Sequence, residues 1–325
     1  MRDGILETIG SPLVRLPAPD GAAIAAKIES FNPGGSAKDR PALYMVRAAE
    51  RRGDLEPGGA IVEATSGNTG IGLAMVCAAR GYDLTLVMPS SKSPERRQTM
   101  AAYGAEIELV EGSMTDANAR ADAIAAESGA LRLKQFEDPA NPRSHYETTG
   151  PEILEQLEGR TVEALVAPVG TGGTLSGIGR RLREAFPEME IVAVEPAENA
   201  VLSGQEPGDD AFQGMGPGFV SPNLDRELID DVETVDIETA EAECRRLAQE
   251  EGILVGQSSG AASVVANRVA ERIADPTADC PPMPAEVDLS ADGGAEDGSD
   301  DCPLVLTVFW DSGRRYLSAG VFEQA

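Results

Sequence analysis

Four turns rich in Gly, Ser and Thr carry the residues best suited to chemistry. In Asn32-Pro-Gly-Gly-Ser-Ala-Lys-Asp-Arg40 a lysine follows a Gly-Gly-Ser turn, in a chain whose lysines are Lys27, Lys38, Lys92 and Lys134 and whose other cations are arginines. A desolvated lysine can lose its proton near neutrality and condense with a carbonyl as a Schiff base, which a guanidinium cannot do. Spacing alone leaves an ordinary surface lysine as the simpler reading. Gly170-Thr-Gly-Gly-Thr174 offers backbone N–H groups and hydroxyls to a phosphate at the positive end of a helix. Leu175 stands where a dinucleotide loop needs its third glycine, and no lysine follows as in an ATP-binding loop, so both of those ligands are disfavoured. Thr65-Ser-Gly-Asn-Thr69 presents hydroxyls and an amide that suit a carboxylate, and Gly256-Gln-Ser-Ser-Gly260 is a further loop of this kind. Singly, each is also readable as a tight turn or a helix cap.

These turns fall between elements of alternating type. The pattern predicts strands at Ala60–Ala64, Leu84–Met88, Glu106–Val110, Ala164–Ala167, Glu190–Val194 and Leu304–Phe309. Between them it predicts helices at Thr69–Arg80, Glu95–Tyr103, Asp116–Glu127, Leu175–Ala185, Thr239–Glu251 and Ser259–Ala274, with a short closing element in Arg315–Phe322. Such βαβ rhythm points to parallel sheets covered on both faces, two of them, with a break near Pro139-Ala-Asn-Pro142. Residues 281–303 carry seven acids and no base and read as a mobile surface loop.

Taken together and in order, the turns resemble the fold type II pyridoxal-phosphate enzymes, in particular their cysteine synthase and cystathionine β-synthase branch. The resemblance runs over nearly the whole chain. It includes Glu63-Ala-Thr-Ser-Gly-Asn-Thr-Gly-Ile-Gly-Leu-Ala74, Thr149-Gly-Pro-Glu-Ile153, Pro168-Val-Gly-Thr-Gly-Gly-Thr174, Gly214-Met-Gly-Pro-Gly-Phe219 and Asp311-Ser-Gly313. It implies an α/β protein of two three-layer α/β/α domains with mostly parallel sheets, like the tryptophan synthase β subunit. Residues 40–145 would form a smaller mobile domain that takes the substrate carboxylate. Residues 1–39 and 146–325 would form the larger cofactor domain, with the acidic insertion at 281–303.

The resemblance also implies roles. Lys38 would hold pyridoxal 5'-phosphate as a Schiff base and act as the catalytic acid–base group. Gly170, Thr171, Gly172, Gly173 and Thr174 would bind its phosphate, Asn68 its ring 3'-oxygen, and Ser258 would face the pyridine nitrogen. Thr65, Ser66, Gly67, Asn68, Thr69 and Gln135 would clamp the substrate α-carboxylate. The implied reaction is β-replacement: O-acetyl-L-serine and sulfide give L-cysteine and acetate through an aminoacrylate. Alternatives are cystathionine formation from serine and homocysteine, use of O-phosphoserine, and a catalytically idle regulatory homologue. Gly214-Met-Gly-Pro-Gly-Phe-Val220 is similar to the O-acetylserine version. Residues 211–224 lack the arginine with which O-phosphoserine-dependent relatives take the phosphate. A homodimer and a serine acetyltransferase partner are implied too. Trp310, Arg314 and the acidic insertion depart from the family pattern, and the single histidine, His145, reads as structural.

Composition bounds the rest. The 325 residues carry 55 Asp+Glu against 27 Lys+Arg, a formal charge of −28, which disfavours nucleic-acid and anionic-membrane roles. Spread acidity with scarce lysine suggests solubility in concentrated salt. No apolar run is long enough to span a bilayer and Met1-Arg-Asp-Gly-Ile-Leu-Glu-Thr has no signal-peptide core, so a cytoplasmic protein is expected. Cys77, Cys244, Cys280 and Cys302 show no metal spacing and read as idle thiols; a Cys280–Cys302 disulfide would be atypical of a reducing compartment.

Overall fold

The structure, a computed structural model, describes residues 1–280 and 302–323. The acidic run thus falls, apart from its last two residues, outside the described residues. Strands β1 (Leu13–Leu16), β2 (Ala23–Ile28), β7 (Ala164–Pro168), β8 (Glu190–Pro196), β9 (Asp231–Val235) and β10 (Leu304–Phe309) form one sheet in the order β1-β2-β10-β7-β8-β9. Only the β1–β2 pair is antiparallel. Strands β3 (Ala60–Ala64), β4 (Asp83–Pro89), β5 (Glu106–Val110) and β6 (Leu131–Arg132) form a second, wholly parallel sheet in the order β5-β4-β3-β6. The smaller sheet comes from one uninterrupted stretch, and the larger from the chain on both sides of it.

Both faces of each sheet are covered, which is why the central strands are apolar without alternation. In β10, Val305 and Phe309 pack toward α8 (Ile237–Glu250) and α9 (Gln257–Ile273). Leu304, Leu306 and Val308 pack toward α6 (Gly150–Gln156) and α7 (Gly173–Ala185) on the other side. In the smaller sheet Ile61, Leu84, Leu86 and Met88 meet α1 (Asp39–Arg52), α2 (Asn68–Arg80) and α3 (Pro94–Ala102). Val62 and Val87 meet Ala117 and Ala121 of α4 (Met114–Ser128). Helix α5 (Ala140–Ser144) runs through a π-helical turn, His145–Thr149, into α6.

Local chemistry moves some helix starts from where the pattern puts them. Helix α4 begins two residues ahead of Asp116, because Ser113 accepts from the Thr115 N–H while the Asp116 carboxylate accepts from the Ser113 N–H. Asp236 does the same for α8 by accepting from the Thr239 N–H. The closing element is a 3-10 helix over Gly313–Ala319. The cysteines differ from expectation. Cys77 and Cys244 are buried thiols pushed up to about 12, but Cys280 and Cys302 are joined as a disulfide. The chain leaving α9 and the chain entering β10 bring their Cα atoms to 5.0 Å, and that proximity overrides the argument from compartment.

Candidate active site

Three of the four Gly-rich turns converge because they follow the C-terminal ends of strands, where parallel α/β sheets leave crevices, and the fourth, at residues 256–260, follows α8 and opens α9. The Asn32–Lys38 turn follows β2, Thr65–Gly67 follows β3, and Gly170–Gly172 follows β7. Ser258 lies in the first turn of α9, and Trp310 and Asp311 follow β10. Between them opens a cleft of about 1330 Å³. Lys38, Thr65, Ser66, Gly67, Asn68, Thr69, Gln135, Gly170, Thr171 and Ser258 all line it. At its floor a tighter pocket is bounded by Lys38, Gly170, Thr171, Gly172, Thr174 and Ser258.

Lys38 sits at the start of α1, held by a turn whose geometry the glycines allow. The Gly34 N–H donates to Asp39 Oδ2 at 2.6 Å, and a Cβ on Gly34 would lie 2.4 Å from Asp39 Oδ1. The Lys38 ammonium lies 3.4 Å from Thr171 Oγ1, and burial pushes its pKa down to about 8. An amine there is readily neutral, as a Schiff-base nucleophile must be.

The phosphate-type loop is shaped by close backbone packing. A Cβ on Gly170 would meet the Gly214 carbonyl at 2.5 Å, and one on Gly172, at φ +77°, would meet Leu224 at 2.6 Å. Gly173 does not line the cleft: it packs on Asn141, whose Oδ1 would lie 2.1 Å from a Cβ. Asn141 Nδ2 donates to Thr171 Oγ1 at 3.0 Å and to the Gln135 carbonyl at 2.8 Å, and Ser221 Oγ donates to the Thr171 carbonyl at 2.7 Å. Thr174 is held by His145 and Trp310, each at 3.2 Å from its hydroxyl. This cup, opening on the N-terminus of the 13-residue α7 and flanked by a near-neutral lysine and the Ser258 hydroxyl, is a donor set that fits an aldehyde carrying a phosphate ester.

Across the cleft the Thr65–Thr69 turn opens α2. Thr65 Oγ1 accepts from the Gly67 N–H at 3.3 Å, and Thr69 Oγ1 donates to Gln135 Oε1 at 2.6 Å, which brings Gln135 beside the turn. The Asn68 amide donates to Asp311 Oδ2 at 2.6 Å and accepts from Arg315. Asp311 also accepts from the Tyr316 hydroxyl at 2.8 Å, and the Arg96 guanidinium stacks 5.4 Å from the Tyr316 ring centre. Burial raises the Asp311 carboxyl above the usual carboxylate range. Sequence reasoning missed this Asp311, Arg315, Tyr316 and Arg96 set. Two signals bore on Asp311: its place in the Asp311-Ser-Gly313 motif and its position just after the apolar strand β10, where such crevices form. His145 is fully buried and pushed down to about 3, which keeps it neutral and away from proton transfer. Three of the four lysines, Lys38, Lys92 and Lys134, line the cleft; the fourth, Lys27, is buried against Glu152 at 3.0 Å.

Comparison with known proteins agrees with this geometry. Residues 6–278 match the family model described as pyridoxal-phosphate dependent enzyme. A cysteine synthase of Staphylococcus aureus is 52% identical over 266 residues, 80% of this chain and 86% of that protein. An O-ureido-L-serine synthase of Streptomyces lavendulae is 46% identical over 326 residues, 99% of this chain and 93% of that protein. The crystal structure of a cysteine synthase from Entamoeba histolytica superposes with a TM-score of 0.88 at 34% identity, covering 100% of this chain and 92% of that one.

Proposed function

Because this chain belongs to the family of pyridoxal-phosphate dependent enzymes, we propose that it is a cysteine synthase which replaces the acetate of O-acetyl-L-serine by sulfide. The observation that carries the reading is the meeting of a near-neutral Lys38 and the Gly170–Thr174 cup with a hydroxyl-rich carboxylate turn across one cleft. When bound, pyridoxal 5'-phosphate supplies an aldehyde for the substrate amine and a ring that acidifies Cα, so that a β-substituent can depart.

The chain's own residues do the rest. Lys38 would hold the cofactor as a Schiff base and, with its amine free, would take the substrate Cα proton as general base. It later returns that proton to Cα once sulfur is attached. Thr65, Ser66, Gly67, Asn68, Thr69 and Gln135 hold the α-carboxylate through hydroxyls, amides and the N-terminus of α2. Ser258, which lines the pocket, would offer the cofactor's ring nitrogen a hydroxyl, a group that unlike a carboxylate would not keep that nitrogen protonated, and this would favour β-elimination over transamination. Residues 40–145 form the smaller domain, whose closure over residues 1–39 and 146–325 keeps water from the reacting carbon. A homodimer, in which one domain is held while the other moves, belongs to the same reading; a ~34 kDa species in sedimentation at micromolar concentration would remove it. So do a serine acetyltransferase partner and a cytoplasmic location. Among the described residues no helix is long and apolar enough to cross a membrane.

Steady-state kcat/KM for O-acetylserine, O-phosphoserine and serine, each with sulfide and with homocysteine, tests the assignment. The highest value is expected for O-acetylserine with sulfide; any other winner replaces the donor or the acceptor. The similarity to an O-ureido-L-serine synthase over 99% of this chain favours one second reading, formation of that product, which is settled by assaying for it directly.

A further inference from the structure

Thr174 heads α7 and its hydroxyl borders the pocket at the floor of the cleft, yet two ring nitrogens already point at that oxygen. One is Nε1 of Trp310, the only tryptophan in the chain, at 3.2 Å; the other is Nε2 of His145, also at 3.2 Å. An indole N–H only donates, so Trp310 occupies one lone pair of Thr174 Oγ1. The direction of the second bond follows from the far side of the imidazole. His145 Nδ1 lies 2.9 Å from Thr149 Oγ1, and both residues are fully buried. Among the described residues that nitrogen is the only hydrogen-bond partner of the Thr149 hydroxyl. A buried hydroxyl proton is not left without an acceptor, so Thr149 donates to Nδ1 and the imidazole proton sits on Nε2. Thr174 Oγ1 therefore accepts twice, both of its lone pairs are filled, and its own proton is left for whatever occupies the pocket.

We propose that Trp310 is a positioning residue which, with His145, orients the Thr174 hydroxyl as an obligate donor to the cofactor's phosphate. The inference rests on the pyridoxal 5'-phosphate reading and deepens it. Trp310 thereby tunes the cup for a group that only accepts, an ionised phosphate oxygen. Its contribution falls on the phosphate and not on the aldehyde or the ring.

The test compares the full-length chain, stripped of cofactor, in its affinity for pyridoxal 5'-phosphate and for pyridoxal, which lacks the phosphate. Trp310→Phe keeps the ring's bulk and removes the N–H. It is expected to weaken pyridoxal 5'-phosphate by about fivefold, the size of one lost hydrogen bond, and to leave pyridoxal within about twofold. In a Thr174→Val background the same change is expected to add nothing, since Trp310 would act through that hydroxyl. Equal weakening of both ligands, no weakening, or an additive effect in the double variant would overturn the proposal. A measurement on the wild-type chain guards against a variant that fails to fold. Its single indole gives one N–H resonance, expected to shift further with pyridoxal 5'-phosphate than with pyridoxal; equal shifts overturn the proposal. If neither compound binds the wild-type chain, the cofactor reading itself falls, an outcome distinct from binding without discrimination.

Discussion

Lys38 and His145 are both buried beside the same cup, and burial pushes both below their ordinary pKa, yet the consequences differ. For Lys38, lowered to about 8, the result is an amine that can shed its proton at working pH. Lys38→Ala is expected to reduce turnover more than about a hundredfold while leaving the melting temperature nearly unchanged, because a positioned acid–base group contributes about 10²–10⁴-fold and no core packing is lost. Turnover above about a hundredth of wild type would contradict the assignment. For His145, lowered to about 3, the result is a pH-dependent fold. Between the unfolded value of about 6.5 and the folded value of about 3 the unfolded chain binds the proton and the native chain does not. Stability contributed by neutral His145 is thus fully present above about pH 6.5 and is lost as pH falls, by about 2 kcal/mol at pH 5. Denaturant melts at about pH 7 and 5, wild type against His145→Gln, should show that difference. Asp39, raised to about 7, titrates in the opposite sense but is common to both proteins and cancels.

At the level of elements, the loops act through backbone shape. Gly172 is left-handed and presses on Leu224, so Gly172→Ala combines a positive-φ penalty with overpacking. A loss of about 2–4 kcal/mol in a denaturant melt is expected, together with weaker cofactor binding. The turns themselves were legible in the sequence because each is contiguous and bounded by apolar runs. Strands Ala60–Ala64, Glu106–Val110 and Leu304–Phe309 were legible to the residue for the same reason. Strand β2, Ala-Ile-Ala-Ala-Lys-Ile, was not, since alanine and lysine have low strand preference and the segment is held by neighbours on both sides. The Asp311 and Arg315 contacts to Asn68 were illegible too. They join residues more than two hundred positions apart, and no local pattern encodes such a meeting.

The molecule as a whole carries a formal charge of −28. At about 0.1 M ionic strength the screening length is about 10 Å, so neighbouring carboxylates repel; near 1 M it is about 3 Å. Melting temperature and activity are therefore expected to rise between roughly 0.2 and 3 M KCl. A flat or falling melting temperature over that range would mean that the acidity serves another purpose. Removing residues 284–301, which hold seven of the 55 acids, should soften the salt response only slightly. The same compositional bias leaves the surface almost without primary amines. With Lys27 sealed in the interior, the amines open to an acylating reagent are those of the cleft and the amino terminus. A general lysine label thus becomes a footprinting reagent for one locality, and occupancy of the cleft can be followed by counting mass adducts on the intact chain.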